Sequence, residues 1–258
     1  MSASETVVRS LSDDEAAGLY LDLELPEGQD RPHMVTNTVQ TVDGKTALAG
    51  RSRGIGSVYD RRLLRRIRAA AEAMMIGAAT LRAEEIEFRF PPALLESRLR
   101  RGLPRELVVV VITTGRGVLP LRRRLFALPT PEVVPVVLTS EQAAETVGRA
   151  VDGRAQVLAV GEQAVDLPRA MEVLWRDFGA RRLVVEGGPQ LNGALLAQGL
   201  VDEVFLTLAP KIIGGPSGGM VVGEATPAGG PYSLALLSAL GYQGELLLRY
   251  RVAGPSRI

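Results

Sequence analysis

Short apolar runs rich in Val, Ile and Leu alternate along this chain with longer stretches whose apolar positions recur every three to four residues. The runs His33–Val42, Ala73–Gly77, Leu107–Thr113, Val133–Thr139, Gln156–Val160, Leu183–Glu186, Val204–Ala209 and Glu245–Val252 predict strands. Tyr59–Glu72, Pro92–Arg101, Ser140–Ala150, Pro168–Gly179 and Pro189–Gln198 predict helices. Ahead of them, Ser12–Leu21 reads as a short helix with Ser12 as N-cap and Glu15 at the capping-box position. Pro26, Gly28 and Pro32 then lead into the main pattern, which divides the chain into an N-terminal extension, 1–31, and one domain, 32–258. Strand–helix alternation implies right-handed crossovers and a mainly parallel sheet with helices on both faces, an α/β fold. Only the Gly- and Pro-rich loop Lys211–Leu234 separates the last two strands, so these are expected to pair antiparallel at the sheet edge.

Composition narrows the chemistry. Thirty basic and 29 acidic residues leave a formal charge of +1, which argues against a nucleic-acid footprint. Five of the basic residues, Arg61, Arg62, Arg65, Arg66 and Arg68, crowd one predicted helix, mostly as a solvated face. There is no cysteine, and His33 is the single histidine. A zinc deaminase needs a His/Cys/Cys or Cys₃ site, and a serine triad could draw only on His33, so neither is expected. No metal site is expected either. Met1–Leu11 carries Glu5 and Arg9 without an apolar core, and no uncharged apolar window approaches about 18 residues. The expected setting is the cytoplasm, with no membrane partner.

In open α/β sheets, ligands bind beyond the carboxyl ends of the strands, where N–H groups at helix starts are free. Four segments have that placement. Glu186-Gly187-Gly188-Pro189-Gln190-Leu191 offers a backbone that a pyrophosphate can approach, with Pro189 suited to a first helical turn; a tight turn with a helix cap is the plainer alternative. Gly77-Ala78-Ala79-Thr80 suits a phosphate or ribose, or Thr80 is simply an N-cap, and Glu84 follows one turn later. In Asn37–Lys45, alternation places Asn37, Val39, Thr41 and Asp43 on one face, although Asp43-Gly44 is also an ordinary turn. Thr113-Thr114-Gly115-Arg116 could hold a ribose 2′-phosphate.

In this order, the segments resemble the reductase family of riboflavin biosynthesis, whose fold is that of dihydrofolate reductase. The match rests on Thr41-Val42-Asp43-Gly44-Lys45, on Arg68 with Gly77–Glu84, and on Val185-Glu186-Gly187-Gly188-Pro189 with Leu200–Glu203 and Ala209–Gly214. The resemblance implies a small-molecule reductase, commonly a homodimer, that binds NADPH through Thr80, Glu84, Thr114, Arg116 and the turn Gly187, Gly188, Pro189, Gln190 and Leu191. It implies a ribosylaminopyrimidine 5′-phosphate held by Asn37, Asp43, Ser52, Arg68 and Glu186, its ribosyl group reduced to ribityl, with Asp43 and Glu186 as the catalytic carboxylates. Asn37 and Thr41 are more like the stand-alone archaeal and fungal enzymes than the bacterial bifunctional ones, which often carry a lysine at the first position. The sequence departs from the pattern after Glu84, where Glu85-Ile86-Glu87-Phe88-Arg89 puts the usual phosphate-holding arginine out of step. Either the substrate lacks a phosphate, or Arg89 substitutes. Two alternatives share the cofactor: a dihydrofolate reductase-like enzyme acting on a pterin or another imine, and a non-catalytic NADPH sensor. The sensor has no need for carboxylates at the nicotinamide end.

Overall fold

A computed structural model describes residues 8–114, 119–127, 130–215, 218–223 and 231–255. In chain order the elements are β1 (Arg9–Ser10), α1 (Asp13–Gly18), β2 (His33–Thr41), α2 (Val58–Arg68), β3 (Ala73–Gly77), α3 (Ala78–Ala83), α4 (Pro92–Arg100), β4 (Leu107–Ile112) and α5 (Arg124–Ala127). They continue with β5 (Val133–Thr139), α6 (Glu141–Val151), β6 (Gln156–Ala159), α7 (Leu167–Asp177), β7 (Arg182–Val185), α8 (Pro189–Ala197), β8 (Glu203–Ala209), β9 (Tyr232–Tyr242) and β10 (Glu245–Pro255).

All the strands lie in one sheet, ordered β1-β9-β10-β8-β2-β7-β3-β4-β5-β6. From β8 to β6 every neighbouring pair is parallel, while β10 runs antiparallel to both β8 and β9. The predicted architecture therefore holds: a mainly parallel sheet, helices on both faces and antiparallel C-terminal strands. Alternation sorts the strand residues. Val35 and Val184 pack with Ile67 and Ala70 beneath α2, whereas Met34, Leu183 and Val185 pack with Met171 and Leu174 of α7 and Leu195 of α8. Central strands covered on both faces read as unbroken apolar runs, as in the LVVVVI of β4.

Three local readings change. β9 is additional to the predicted strands. It carries Leu234, Leu236 and Leu237, each 38–46% exposed, so no polar alternation marks it in the sequence. α3 and α5 are short helices that no long periodic stretch announces. α2 stops at Arg68 rather than running to Glu72, and just past its end the Ala69 carbonyl accepts from the guanidinium groups of Arg98 and Arg101. At the N-terminus, Ser12 caps α1 and Glu15 closes the capping box as expected.

Arg98 is the largest fully buried side chain among the described residues. Its three nitrogens donate to the carbonyls of Pro104 (2.7 Å), Ala69 (3.1 Å), Glu106 (3.0 Å) and Ala71, tying the end of α2 to the approach to β4. Burial lowers its pKa to about 10, so it stays charged at neutral pH. Arg98→Met keeps the volume but strands four buried acceptors. We expect a loss of about 3–5 kcal/mol in urea unfolding, a loss below 1 kcal/mol being the result that contradicts this account.

Candidate functional site

The strand-to-helix turns after β3 and β7 lie against each other. α3 starts from Gly77 and α8 from Gly188, and neither N-cap makes a side-chain cap hydrogen bond among the described residues. The Gly77 N–H donates to the Gly187 carbonyl at 2.8 Å. Gly187 sits at φ +79°, and its peptide bond to Gly188 is cis. A Cβ on Gly188 would stand 2.7 Å from the Thr80 hydroxyl, so glycine there leaves Thr80 facing open backbone. Thr80 is the third residue of α3 and not its cap. Of the remaining turn residues, Gln190 is exposed, whereas the Leu191 side chain enters the core, so Leu191 offers a ligand only its backbone.

Below this turn, Arg68 and Glu186 form one buried unit. Arg68 Nε donates to Glu186 Oε1 at 2.8 Å and Nη2 to Oε2 at 2.7 Å. The third nitrogen, Nη1, donates to the Glu87 carbonyl at 2.7 Å, and the guanidinium lies 5.7 Å from the centre of the Phe88 ring. This fork-on-fork geometry fixes both planes. The Glu186 amide is held by the Met75 carbonyl at 3.0 Å, so the carboxylate is aimed from both ends.

Asp43 closes a second group. β2 ends at Thr41, which places Asp43 in the following turn rather than on the strand face. Its carboxylate accepts from the Thr41 hydroxyl (2.5 Å), from the Gly214 N–H (2.7 Å) and, more weakly, from the Ile213 N–H (3.3 Å). The Thr41 hydroxyl first, and the Gly214 amide next, pull its pKa down to about 2, and the side chain stays exposed. Lys211 Nζ donates to the carbonyls of Gly54 (2.8 Å) and Ile55 (2.7 Å), and Glu84 Oε1 accepts from the Ser52 N–H at 2.5 Å. The segment between β2 and α2 is thereby latched across the cleft to the turn that carries Thr80.

Asn37 follows the Thr36–Val185 strand pair as Glu186 does, so the two stand on neighbouring strands facing α2. Its Nδ2 is buried with no hydrogen-bond partner among the described residues. With Asp60, Leu63, Ile67, Phe205 and Thr207, Asn37 lines a narrow cleft under α2. Asp60 is a site residue that the sequence reading missed. Burial pushes its carboxyl up to about 6, against a hydrogen bond from Thr207, with the Glu245 carboxylate pushing the same way.

A family model for the RibD C-terminal domain matches residues 32–244. The chain belongs to that family. A 2,5-diamino-6-ribosylamino-4(3H)-pyrimidinone 5′-phosphate reductase of Archaeoglobus fulgidus is 36% identical over 188 residues, 72% of this chain and 83% of that protein. A reductase of the same description from Methanothermobacter thermautotrophicus is 34% identical over 185 residues, 72% and 81% of the two chains. Among solved structures, a pyrimidine reductase-like protein from Corynebacterium diphtheriae superposes with a TM-score of 0.74 at 23% identity, covering 86% of this chain and 92% of that one. The fold is the dihydrofolate reductase-like one expected from the motifs.

In this RibD-type domain the predicted residues fall into linked pairs: Arg68 with Glu186, Ser52 with Glu84, and Thr80 with Gly188. Thr114 is exposed at the end of β4, and Arg116 lies outside the described residues. Arg89 is exposed and paired with Glu87 (3.2 Å), which also meets Arg124 at 2.5 Å. The one signal that could have found Asp60 is its spacing of eight residues, two helical turns, from Arg68. No helix among the described residues is long and apolar enough to cross a membrane.

Proposed function

We propose that this chain is an NADPH-dependent reductase of riboflavin biosynthesis, acting in the cytoplasm on a ribosylaminopyrimidine 5′-phosphate and leaving its ring undeaminated. The ring is that of 5-amino-6-(5-phosphoribosylamino)uracil or of its 2,5-diamino counterpart. The observation that carries the reading is the uncapped glycine turn at α8, which opens directly above the buried Arg68–Glu186 pair. The N–H groups of Gly188, Gln190 and Leu191 and the Thr80 hydroxyl fit a pyrophosphate, and a Cβ at Gly188 would fill that cradle. Thr114, just past β4, and Arg116, two residues further along the sequence, are assigned to the ribose 2′-phosphate. Glu84, its carboxylate engaged by the Ser52 amide, orders the wall beside the cofactor.

When bound, NADPH supplies a hydride to C1′ of the open imine form of the sugar, and a proton completes the amine. The chain supplies position and charge rather than a histidine or cysteine. Glu186, oriented by Arg68, accepts from ribose hydroxyls with its remaining lone pairs, and the exposed Asp43 carboxylate does so from the other side. A carboxylate beside the developing iminium also stabilises its charge and can pass the proton. The exposed Leu234, Leu236 and Leu237 of β9 supply an apolar surface for a homodimer.

The test is NADPH oxidation by purified protein offered each ribosylaminopyrimidine phosphate and, separately, dihydrofolate. Turnover with a pyrimidine phosphate alone is expected. Turnover with dihydrofolate alone moves the activity to a pterin, and tight NADPH binding without any turnover leaves a sensor. Arg116→Ala is expected to weaken NADPH about ten- to a hundredfold, from a charge-assisted contact of about 1.5–3 kcal/mol, and to leave NADH unchanged. Equal loss for both cofactors in calorimetry refutes the 2′-phosphate assignment.

A further inference from the structure

Asp60, Leu64 and Arg68 follow one another at four-residue spacing on α2, and Asp60 and Arg68, 7% and 2% exposed, show that this edge of the helix turns inward. Arg68 reaches Glu186 on β7, and Asp60, about 12 Å further up the helix, reaches Thr207 on β8, which pairs with Val39, two residues beyond Asn37 on the same face of β2; all three line one cleft. The neighbourhood is shaped around this carboxylate. A Cβ on Gly56 would stand 2.1 Å from Asp60 Oδ2, so only glycine at that position leaves the carboxylate its place. Ser57 caps the Asp60 amide at 3.0 Å while giving its own N–H and hydroxyl to Glu245 at 2.9 and 2.7 Å. Among the described residues Asp60 forms no ion pair within 4.0 Å, and the Asn37 amide that lines the same cleft donates to no partner. An enclosed carboxylate without a cation and an amide donor without an acceptor are both costly to a fold. Lining one cleft, next to the proposed ribose site, they have the form of a pair awaiting a ligand.

We infer that Asp60 and Asn37 read the pyrimidine ring, Asp60 accepting from the N3–H and 2-amino groups of a 2-amino-4(3H)-pyrimidinone and Asn37 donating to its 4-oxo group. This rests on the proposed reductase reading. N3–H and the 2-amino group are parallel donors on adjacent atoms and match the two oxygens of a carboxylate, as a guanidinium fork does. The 4-oxo group is next around the ring, where a neutral amide donor suits it. A uracil ring carries an oxo group at position 2, which would set two acceptors against each other and forfeit one charge-assisted bond. Asp60 is thus the specificity residue for the ring, distinct from the carboxylates placed near the sugar.

The inference is tested with wild type, Asp60→Asn and Asn37→Leu, each titrated calorimetrically and assayed with the 2,5-diamino substrate and its uracil analogue. Wild type is expected to favour the diamino ring in kcat/KM by about a hundredfold or more. Asp60→Asn should bring the two rings within about threefold by losing activity on the diamino ring, with NADPH affinity unchanged. Asn37→Leu should weaken both rings about tenfold and keep their ratio, since both carry the 4-oxo group. No ring preference in wild type, or equal losses on both rings in Asp60→Asn, overturns the inference. Should Asp60→Asn fail to fold, the wild-type ratio together with Asn37→Leu still decides it. If neither ring is reduced but the diamino ring binds preferentially, the ring-reading pair stands and the reductase reading falls; if neither ring binds, both fall.

Discussion

Gly188→Val is expected to abolish NADPH binding while the protein remains folded. Gly188 has φ −76°, a backbone that any L-residue adopts, so the substitution carries no conformational penalty of the kind that Gly187, at φ +79°, would incur. Its effect falls on the space above the turn. A Cβ would stand 2.7 Å from the Thr80 hydroxyl, forcing that group to rotate away, and two further methyl groups would occupy the ground over the first N–H groups of α8. A phosphate there loses both the hydroxyl and its close approach to the amides, which amounts to several charge-assisted hydrogen bonds of about 1.5–3 kcal/mol each. Affinity should drop by more than about a hundredfold in calorimetry. Gly188→Ala should retain weak binding, since only the hydroxyl is displaced. The urea midpoint should hardly move in either variant. Wild-type affinity in the valine variant would reduce the turn to an ordinary helix start.

That this turn could be singled out from the sequence follows from its local character: strand, two glycines, proline and helix are consecutive, and each has one conformational meaning. The same holds for β3 and β5, whose limits are marked by unbroken apolar runs with a glycine or a capping serine behind them. What was not legible depends on distant partners. Arg68 and Glu186 were each chosen as substrate contacts, but 118 residues separate them, and only the folded sheet shows that they hold each other. Ser52 and Glu84, assigned to substrate and cofactor respectively, likewise meet across the cleft. Asp60 escaped notice because an aspartate in the first turn of a helix is usually explained by the helix dipole. Its isolation becomes visible only when β2, β8 and β10 are in place around it. β9 was hidden for a related reason: its run of Leu and Ala, exposed over 233–237, shows no polar alternation.

The Arg68–Glu186 pair gives the sharpest division between structure and chemistry. Glu186→Gln preserves shape but leaves a guanidinium, 3% exposed, against a neutral amide. Removing one partner of a buried ion pair costs about 3–5 kcal/mol, so this variant should unfold at distinctly lower urea, as should Arg68→Met. Turnover in Glu186→Gln should fall about a hundredfold or more if its charge stabilises the iminium or moves the proton, with NADPH affinity staying within a few-fold. Stability loss alone does not explain such a fall when the assay is run well below the unfolding midpoint. The double variant Arg68→Met/Glu186→Gln separates the two effects. With no charge left uncompensated, it should be more stable than the sum of the single losses predicts, by a coupling of about 1–3 kcal/mol. Its turnover should stay as low as that of Glu186→Gln, because what the reaction lacks is the carboxylate itself. Urea unfolding and single-turnover NADPH oxidation on the four proteins give both quantities. If turnover returned along with stability, the pair would be a strut beneath the site, and the carboxylate that serves the sugar would have to be Asp43.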